Sequence, residues 1–483
     1  MSIERVLHRA LAKGGEFAEI FAEDRRQTAA VLDDRRVEDL SSGADRGAGI
    51  RVVAGETTGY AYTSDLSERG LLEAAEAASA IASEGKGGTR IVHVGNSNLQ
   101  GGSIEELLEA AGDLSPRRSS PRDPQGSAMR MLPETVSKAD KVNLLLRADD
   151  AARSAGGAIA QVTISYADSH RRIVVANSDG LVSGDDQVRT RFIVSCVAIG
   201  DSGMQTGYDT AGKTVGFELF NEVDVEDVAG NAARIALAKL DARPAPTGVV
   251  PVVIKAGSGG ILFHEACGHG LEADHILKNS SVYTNKIGER VASSLVTLVD
   301  DGGFGDEWGS YAIDDEGHPA QRNVLIAEGV LTDYMWDFLR ARKERRTSSG
   351  NGRRQSYRHL PMVRMTNTFL LNGEDDEEAI IEEIPFGVYV AKLGGGQVDT
   401  ASGDFVFGMS EAYLIERGKV GGTLRDANLI GNGPEVLQRI DAVAGDFAMT
   451  QGTCGKDGQS VPVGCGQPTL RISGITIGGT ANA

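Results

Sequence analysis

The chain is poor in cysteine, and it has neither long apolar runs nor an apolar leader. Its four cysteines are scattered over 483 residues, which excludes a disulfide scaffold and predicts a reducing, cytoplasmic setting. No stretch of about eighteen consecutive apolar residues occurs, so we expect no membrane-spanning helix. Charges at Glu4, Arg5 and Arg9 interrupt the segment where a signal peptide is apolar. We therefore expect no export and no membrane partner.

Basic charge is also scarce. Forty-nine Lys and Arg stand against 68 Asp and Glu, a formal net charge of −19. Such a surface repels nucleic-acid phosphates, so any role with nucleic acid would be indirect. A hydrophobic content of 41% excludes a disordered chain. The expected partners are proteins, peptides or small molecules.

The length and the spacing of apolar residues predict an α+β protein of two domains. Residues 1–243 are predicted to form an N-terminal α/β domain, with an antiparallel sheet and helices. A mobile link is expected near residues 115–126, where three prolines occur. Prolines within residues 242–246 end the last helix of this domain. Residues 244–483 are predicted to form a β-rich C-terminal domain carrying a metal-binding helix, and Pro251 is expected at a sheet edge or strand start.

The strongest chemical signal is a cluster of histidines, His264, His269 and His275, where a glycine-rich turn leads into a helix. The first two form an HExxxH pattern. A five-residue spacing places them roughly 140° apart on an ideal helix, too far for one metal ion. A π-bulge absorbs the extra residue, and Gly268, which lacks a Cβ, lies where this distortion is needed. We therefore predict that His264 and His269 share a metal.

Glu265, directly after the first histidine, is predicted to be the base that deprotonates the attacking water. A catalytic zinc site needs a third protein ligand. From the residues alone, the candidates are Glu272, His275 and the thiol of Cys454. The alternative is that the pattern arises by chance and that its histidines are ordinary core or helix-cap residues.

Two further patterns are weaker. Ser258, within AGSGG, resembles the serine of a degenerate nucleophile elbow, although a simple turn is the preferred interpretation. The basic segment Arg340–Arg358 either receives substrate carboxylates or forms a solvated loop.

Five motifs in the second half, in this order, resemble the TldD branch of the TldD/PmbA family of zinc-dependent peptidases. They are GGILFHEACGHGLEAD, DDEGHPAQRNVLIAEGVL, GNGRRQSYRHLPMVRMTNTFL, GGGQVDTASGDFVFGMSEAYLIERGKV and CGKDGQSVPVGCGQPTLRI. The resemblance implies that His264, His269 and Cys454 hold Zn²⁺ and that Glu265 is the catalytic base. It also implies unfolded or small peptide substrates, and a homodimer or a heterodimer with a PmbA (TldE)-type paralogue.

Other functional details stay open at this stage. The GGGQVD and RMTNTFL segments resemble edge strands to which an extended peptide could add. The group that stabilises the oxyanion is not identified by sequence, and Arg364 is one candidate. Two rival functions remain: a non-enzymatic, zinc-containing protein that binds peptides or modulates a partner, and a metal amidohydrolase acting on small molecules.

Overall fold

The chain is a mixed α/β protein. We describe residues 3–84, 88–94, 104–116, 131–201 and 203–479 from a computed structural model. The link predicted near residues 115–126 lies mostly outside these ranges. Within them, no helix combines the length and the apolar character that crossing a bilayer requires.

The first half is built on one seven-stranded sheet of order β4-β3-β2-β1-β5-β6-β7, antiparallel except for the β3–β4 pair. The run β5-β6-β7 is an antiparallel meander. The strands are β1 (Phe17–Asp33), β2 (Arg36–Ala54), β3 (Thr57–Thr63), β4 (Gly88–Val94), β5 (Ile159–Asn177), β6 (Val182–Gly200) and β7 (Gly203–Lys213). The helices are α1 (Ile3–Leu11), α2 (Glu68–Ser83), α3 (Ile104–Glu109), α4 (Lys138–Ser154) and α5 (Val225–Ala238), with 3₁₀ turns at Pro133–Thr135 and Phe217–Asn221.

The described helices of the first half pack on one face of this sheet. Side-chain caps start three of them, at Ser67, Ser137 and Asp224. Alanine-rich helix faces pack on the even-numbered residues of β1, β2, β5 and β6 and bury two apolar cores. Because side chains alternate along a strand, the odd-numbered residues point to the other face, which meets the second half of the chain.

The second half contains two larger sheets. The first has the order β12-β11-β10-β15-β22-β21. In the second, β16, β9, β23, β19 and β17 pair in succession and β17 pairs back to β16, so the five strands close a ring. The strands are β8 (Arg243–Pro244), β9 (Gly248–Ile254), β10 (Leu298–Asp301), β11 (Arg322–Ala327), β12 (Val330–Leu331), β13 (Gly352–Arg353), β14 (Met362–Val363), β15 (Asn367–Leu370), β16 (Phe386–Val398), β17 (Asp404–Glu416), β18 (Lys419–Arg425), β19 (Asn428–Asn432), β20 (Ile440–Val443), β21 (Ala448–Lys456), β22 (Gln459–Gln467) and β23 (Leu470–Gly478). The helices are α6 (Gly260–Phe263), α7 (Ala273–Leu277), α8 (Phe338–Lys343), α9 (Glu377–Glu382) and α10 (Gly433–Gln438).

The sequence predicted Pro251 at a sheet edge or strand start, and this prediction is wrong. The residue lies inside β9, which has β16 on one side and β23 on the other. Pairing with β16 begins only at Val252, and the register with β23 shifts between Ile472 and Ile475. Proline has no backbone N–H to donate to a neighbouring strand. It is tolerated here because the irregular pairing does not require a hydrogen bond from its nitrogen.

The basic segment Arg340–Arg358 joins the two halves of the molecule. The guanidinium of Arg354 is completely buried and lies 2.6 Å from the carboxylate of Glu19 on β1. Arg358 lies 2.6 Å from Asp45 on β2. Both arginines are therefore paired with carboxylates of the first half. The expectation of a solvated loop is wrong for buried Arg354, whereas the side chain of Arg358 is 44% exposed.

Candidate metal centre

The helix that carries the HExxxH pattern changes its winding at the pattern. Helix α6 ends at Phe263, a π-helical turn spans His264–Gly268, and a 3₁₀ turn follows at His269–Leu271. The backbone N–H of His269 donates to the carbonyl oxygen of His264, five residues back. This expansion brings the two imidazole rings to a centroid distance of 4.9 Å. The π-bulge predicted from the five-residue spacing is confirmed.

Close packing fixes the π-helical turn. A Cβ on Gly268 would lie 2.2 Å from the sulfur of Met365, so only glycine fits there without movement of its neighbours. The carbonyl oxygen of Ala266 accepts a hydrogen bond of 3.1 Å from the hydroxyl of Tyr283. The turn is therefore held by side chains that are distant in sequence.

Cys454 reaches the two histidines from strand β21. One side-chain donor atom each from His264, His269 and Cys454 lies within 4.8 Å of the other two. The sulfur of Cys454 is 3.5 Å from Nε2 of His269. All three residues are buried, with His269 the most exposed at 9%. The structure thus brings together the three residues that the resemblance names as ligands.

The charges of this cluster favour a thiolate. Burial alone would raise the pKa of Cys454, but His264 and His269 hold it well below its usual range. Burial alone would lower the pKa of His269, but Glu272 and Cys454 raise it to about 9. The pKa of His264 is raised against its burial, chiefly by Cys454. A thiolate and two imidazoles form a donor set that suits zinc.

A buried carboxylate supports the second histidine. Oε2 of Glu272 lies 3.2 Å from Nδ1 of His269, on the ring nitrogen opposite to the one that faces Cys454. Nζ of Lys456 lies 2.8 Å from both Glu272 and Asp274. Burial would raise the pKa of Glu272, but Lys456 and His269 lower it well below its usual range. A carboxylate behind a ligating histidine is a common arrangement in metal sites.

Glu272, Asp274 and His275 form a second group of possible ligands within 4.8 Å. The ammonium of Lys456 already lies among them. Neither Glu272 nor His275 belongs to the group around His264, so these two alternatives for the third ligand lie outside it.

Glu265 lies at the more open side of the centre. Its side chain is 18% exposed, and its Oε2 is 4.0 Å from Nε2 of His269. Nδ1 of His264 is buried and has no hydrogen-bond partner among the described residues. A buried imidazole nitrogen left without a partner fits a metal ligand. The residues present are thus consistent with a zinc site that has a carboxylate beside it.

Two other predicted residues have structural contacts. Arg364 is completely buried and donates to the backbone carbonyl oxygens of Cys454 and Gln459, so it holds the β21–β22 hairpin. The hydroxyl of Ser258 accepts a hydrogen bond from the N–H of Leu393. Ser258 therefore fixes a turn, which was the preferred interpretation.

Sequence reasoning missed Lys456 and Met365. Lys456 was detectable in principle, because it lies two residues after Cys454 and so shares its face of β21. The sequence around Met365 does not indicate its role, because its proximity to Gly268 depends on the tertiary fold.

Comparisons with known proteins identify the family of this chain. Family models described as the PmbA/TldA metallopeptidase domain 1, central domain and C-terminal domain match residues 18–82, 132–240 and 247–479. A Haemophilus influenzae protein named metalloprotease TldD homolog is 40% identical over 473 residues, covering 96% of this chain and 93% of that protein. A Saccharolobus solfataricus protein named zinc metalloprotease TldD homolog is 30% identical over 54% of this chain and 58% of its own length.

A solved structure shows the same fold. TldE from Thermococcus kodakarensis superposes with a TM-score of 0.75 at 21% identity, covering 98% of this chain and 99% of that one. The identity is too low to carry more than the fold. The family models and the full-length relatives together show that this chain belongs to the TldD branch of the PmbA/TldD metallopeptidase family.

Proposed function

We propose that this protein is a zinc-dependent peptidase that hydrolyses unfolded or small peptides. The observation that carries the proposal is the group formed by His264, His269 and Cys454, with the carboxylate of Glu265 4.0 Å from His269. A structural zinc site usually has four protein ligands and gains nothing from a base beside it. Three ligands and a nearby carboxylate favour catalysis.

In this proposal, His264, His269 and Cys454 hold the zinc ion. When bound, zinc supplies a Lewis acid that polarises a carbonyl and makes water more acidic. Glu265 accepts a proton from the attacking water at its carboxylate and passes it to the leaving amine. Glu272 keeps His269 oriented, with Nε2 directed to the centre.

A free strand edge at the end of β16 is the feature that favours a peptide as the substrate. Residues 396–398 pair with β17 on one side, and β9 pairs with β16 only at Val388, Tyr389 and Val390. The other edge of 396–398 thus has no strand partner among the described residues, and β16 packs against the π-helical turn. An extended peptide adding to this edge would form main-chain hydrogen bonds with little sequence preference. The RMTNTFL segment is different, because its strand β15 lies between β10 and β22 and presents no free edge.

A second subunit is part of the proposal, either another copy of the chain or a PmbA (TldE)-type paralogue. Val406, Ile430 and Val249 are 48%, 41% and 65% exposed, and they lie in one cross-strand row with Thr476. An exposed apolar row of this kind is typical of a surface that a subunit contact buries.

The test is peptide cleavage followed by mass spectrometry, with zinc content measured on the same samples. Wild type, Glu265→Gln and a control, Glu38→Gln on the exposed part of β2, are each assayed alone and with a PmbA-type paralogue. We expect Glu265→Gln to keep zinc and lose cleavage, while Glu38→Gln keeps both. If the wild type binds peptide and zinc but never cuts, the binding-protein function replaces this one. If compact amides are cut regardless of peptide length, the enzyme is an amidohydrolase.

A further inference from the structure

A cavity of about 520 Å³ lies between the seven-stranded sheet and the second half of the chain. Its floor is the sheet face that the helices leave uncovered. Its roof includes Trp308, Arg353, Thr453 and Pro462. Thr453 directly precedes the candidate ligand Cys454, so the cavity and the metal centre share strand β21. The two lie on opposite faces of that strand, because successive side chains alternate.

The strand register explains why the floor is both open and basic. Arg25 on β1 pairs with Arg171 on β5. Two rows further along the same face, beyond the Gln27–Ser169 pair, Ala29 pairs with Ala167, which pairs with Arg191 on β6. All of these residues are odd-numbered and point to the same face. The two alanines leave room above the sheet, and the arginines at either side line that room.

Two of these arginines form no ion pair. Among the described residues, neither Arg25 nor Arg191 has a carboxylate within ion-pair distance or a side-chain hydrogen bond. Glu23 and Asp45 lie near enough to act on the charge of Arg25, but they pair with Arg171 and Arg358. Arg191 instead lies over the ring of Trp308, 5.9 Å from its centroid. The guanidinium of Arg353 donates only to backbone carbonyl oxygens, those of Met365 and Pro462.

The acidic residues of the lining are already engaged. Asp168 lies 2.6 Å from Nζ of Lys141, and Asp315 lies 2.9 Å from Arg171. Asp314 accepts three backbone N–H groups, and burial raises its pKa, which favours the neutral acid. No described acid of the lining is therefore left to neutralise Arg25 or Arg191.

Unpaired guanidinium groups in a partly buried site are unfavourable unless a ligand compensates them. Burial lowers the pKa of Arg25, an effect that Glu23 and Asp45 oppose only in part and to which Arg171 adds, and burial alone lowers the pKa of Arg191. The rim at Gln27 and at residues 41–43 is exposed, so solutes have access from this side. The basic lining favours an anion locally, against the overall repulsion expected from a net charge of −19.

We propose that this cavity binds a carboxylate of the peptide substrate, either an acidic side chain or the C-terminus, through Arg25 and Arg191. The inference rests on the proposed peptidase function and adds a substrate preference to it. Arginine binds carboxylates with strong, charge-assisted hydrogen bonds. The site would thus hold an acidic peptide near the β21–β22 hairpin that carries the metal ligand.

The test measures peptide affinity by isothermal titration calorimetry on zinc-loaded Glu265→Gln protein, in which no cleavage is expected. Three versions of one peptide are compared: a glutamine-rich form with an amidated C-terminus, the same form with a free C-terminus, and a glutamate-rich amidated form. Inorganic phosphate is titrated separately. Each titration is repeated with Arg25→Gln/Arg191→Gln, and with Arg36→Gln as a control of equal chemistry at an exposed position on β2.

We expect one or both carboxylate-bearing peptides to bind about tenfold more tightly than the neutral form, a preference that weakens with salt. The double variant should lose this preference and Arg36→Gln should keep it. Equal affinity for all three peptides, or a preference that survives in the double variant, would overturn the assignment. Phosphate binding tighter than the peptides would also overturn it, in favour of a phosphate ligand. Cleavage of the neutral peptide by the wild type tests the peptidase function separately.

Discussion

Glu272→Gln tests whether the buried network behind His269 determines metal affinity. Glu272 is completely buried, and its Oε2 contacts both Nδ1 of His269 and Nζ of Lys456. The substitution keeps the size of the side chain and removes the charge that balances Lys456 and polarises the imidazole. Loss of such an outer carboxylate weakens metal binding by about 10- to 100-fold. This corresponds to about 1.4–2.8 kcal/mol of binding free energy.

The assay is a zinc competition titration against a chelator of known affinity, with cleavage measured on fully loaded protein. Asp274→Asn is the matched control, because it removes the other carboxylate partner of Lys456 and leaves the Glu272–His269 contact in place. We expect Asp274→Asn to weaken zinc binding much less than Glu272→Gln does. Zinc affinity within about twofold of wild type in Glu272→Gln would refute the role assigned to this network.

Three further predictions follow from particular contacts. Gly268→Ala places a Cβ against the sulfur of Met365, so the variant should lose about 1–3 kcal/mol of stability in urea denaturation. The same substitution should cost less when it is made in a Met365→Ala background, as a double-mutant cycle measures. Cys454→Ser should lose most of its bound zinc, as measured by elemental analysis. Cys267→Ser should keep its zinc, because the thiol of Cys267 donates to the carbonyl oxygen of Phe263. Equal zinc loss in both variants would contradict the ligand assignment. His170 lies between Asp186 and Glu134, which raise its pKa against the effect of burial. Charged His170 therefore stabilises the folded state, and this contribution is complete below the unfolded pKa near 6.5. The contribution disappears as pH rises through the raised pKa of the folded state. The stability difference between wild type and His170→Gln should therefore shrink from pH 6 to pH 9, and a constant difference would contradict this.

Local features of the metal centre were predictable from sequence, and distant ones were not. The π-helical turn follows from the spacing of His264 and His269 and from Gly268, all within six residues. Cys454, the third ligand that we propose, lies 185 residues after His269, so spacing alone could not choose among Cys454, Glu272 and His275. Only the family resemblance favoured Cys454.

The strand pattern of the first half was also predictable, because its antiparallel pairs are formed by segments close in sequence. The contacts of the segment Arg340–Arg358 were not predictable, because the same charged sequence can face solvent or pair with buried carboxylates. The partner of Arg354 is Glu19, 335 residues away, and nothing local reveals it. Pro251 was misplaced for a similar reason, because the irregular register of β23 that accommodates it forms more than 200 residues later.

The ion pairs between the two halves bear on how the protein unfolds. Arg354–Glu19 and Arg51–Glu316 are buried pairs that each join one half to the other. A fragment of residues 247–479 would lose both pairs and would expose Ile313 and Tyr357, which pack against apolar residues of the sheet. Since a folded protein is stable by only about 5–15 kcal/mol, loss of this buried contact would strongly destabilise each half. The chain is expected to melt in one cooperative transition, and a cut in the covalent connection between the halves would leave them associated.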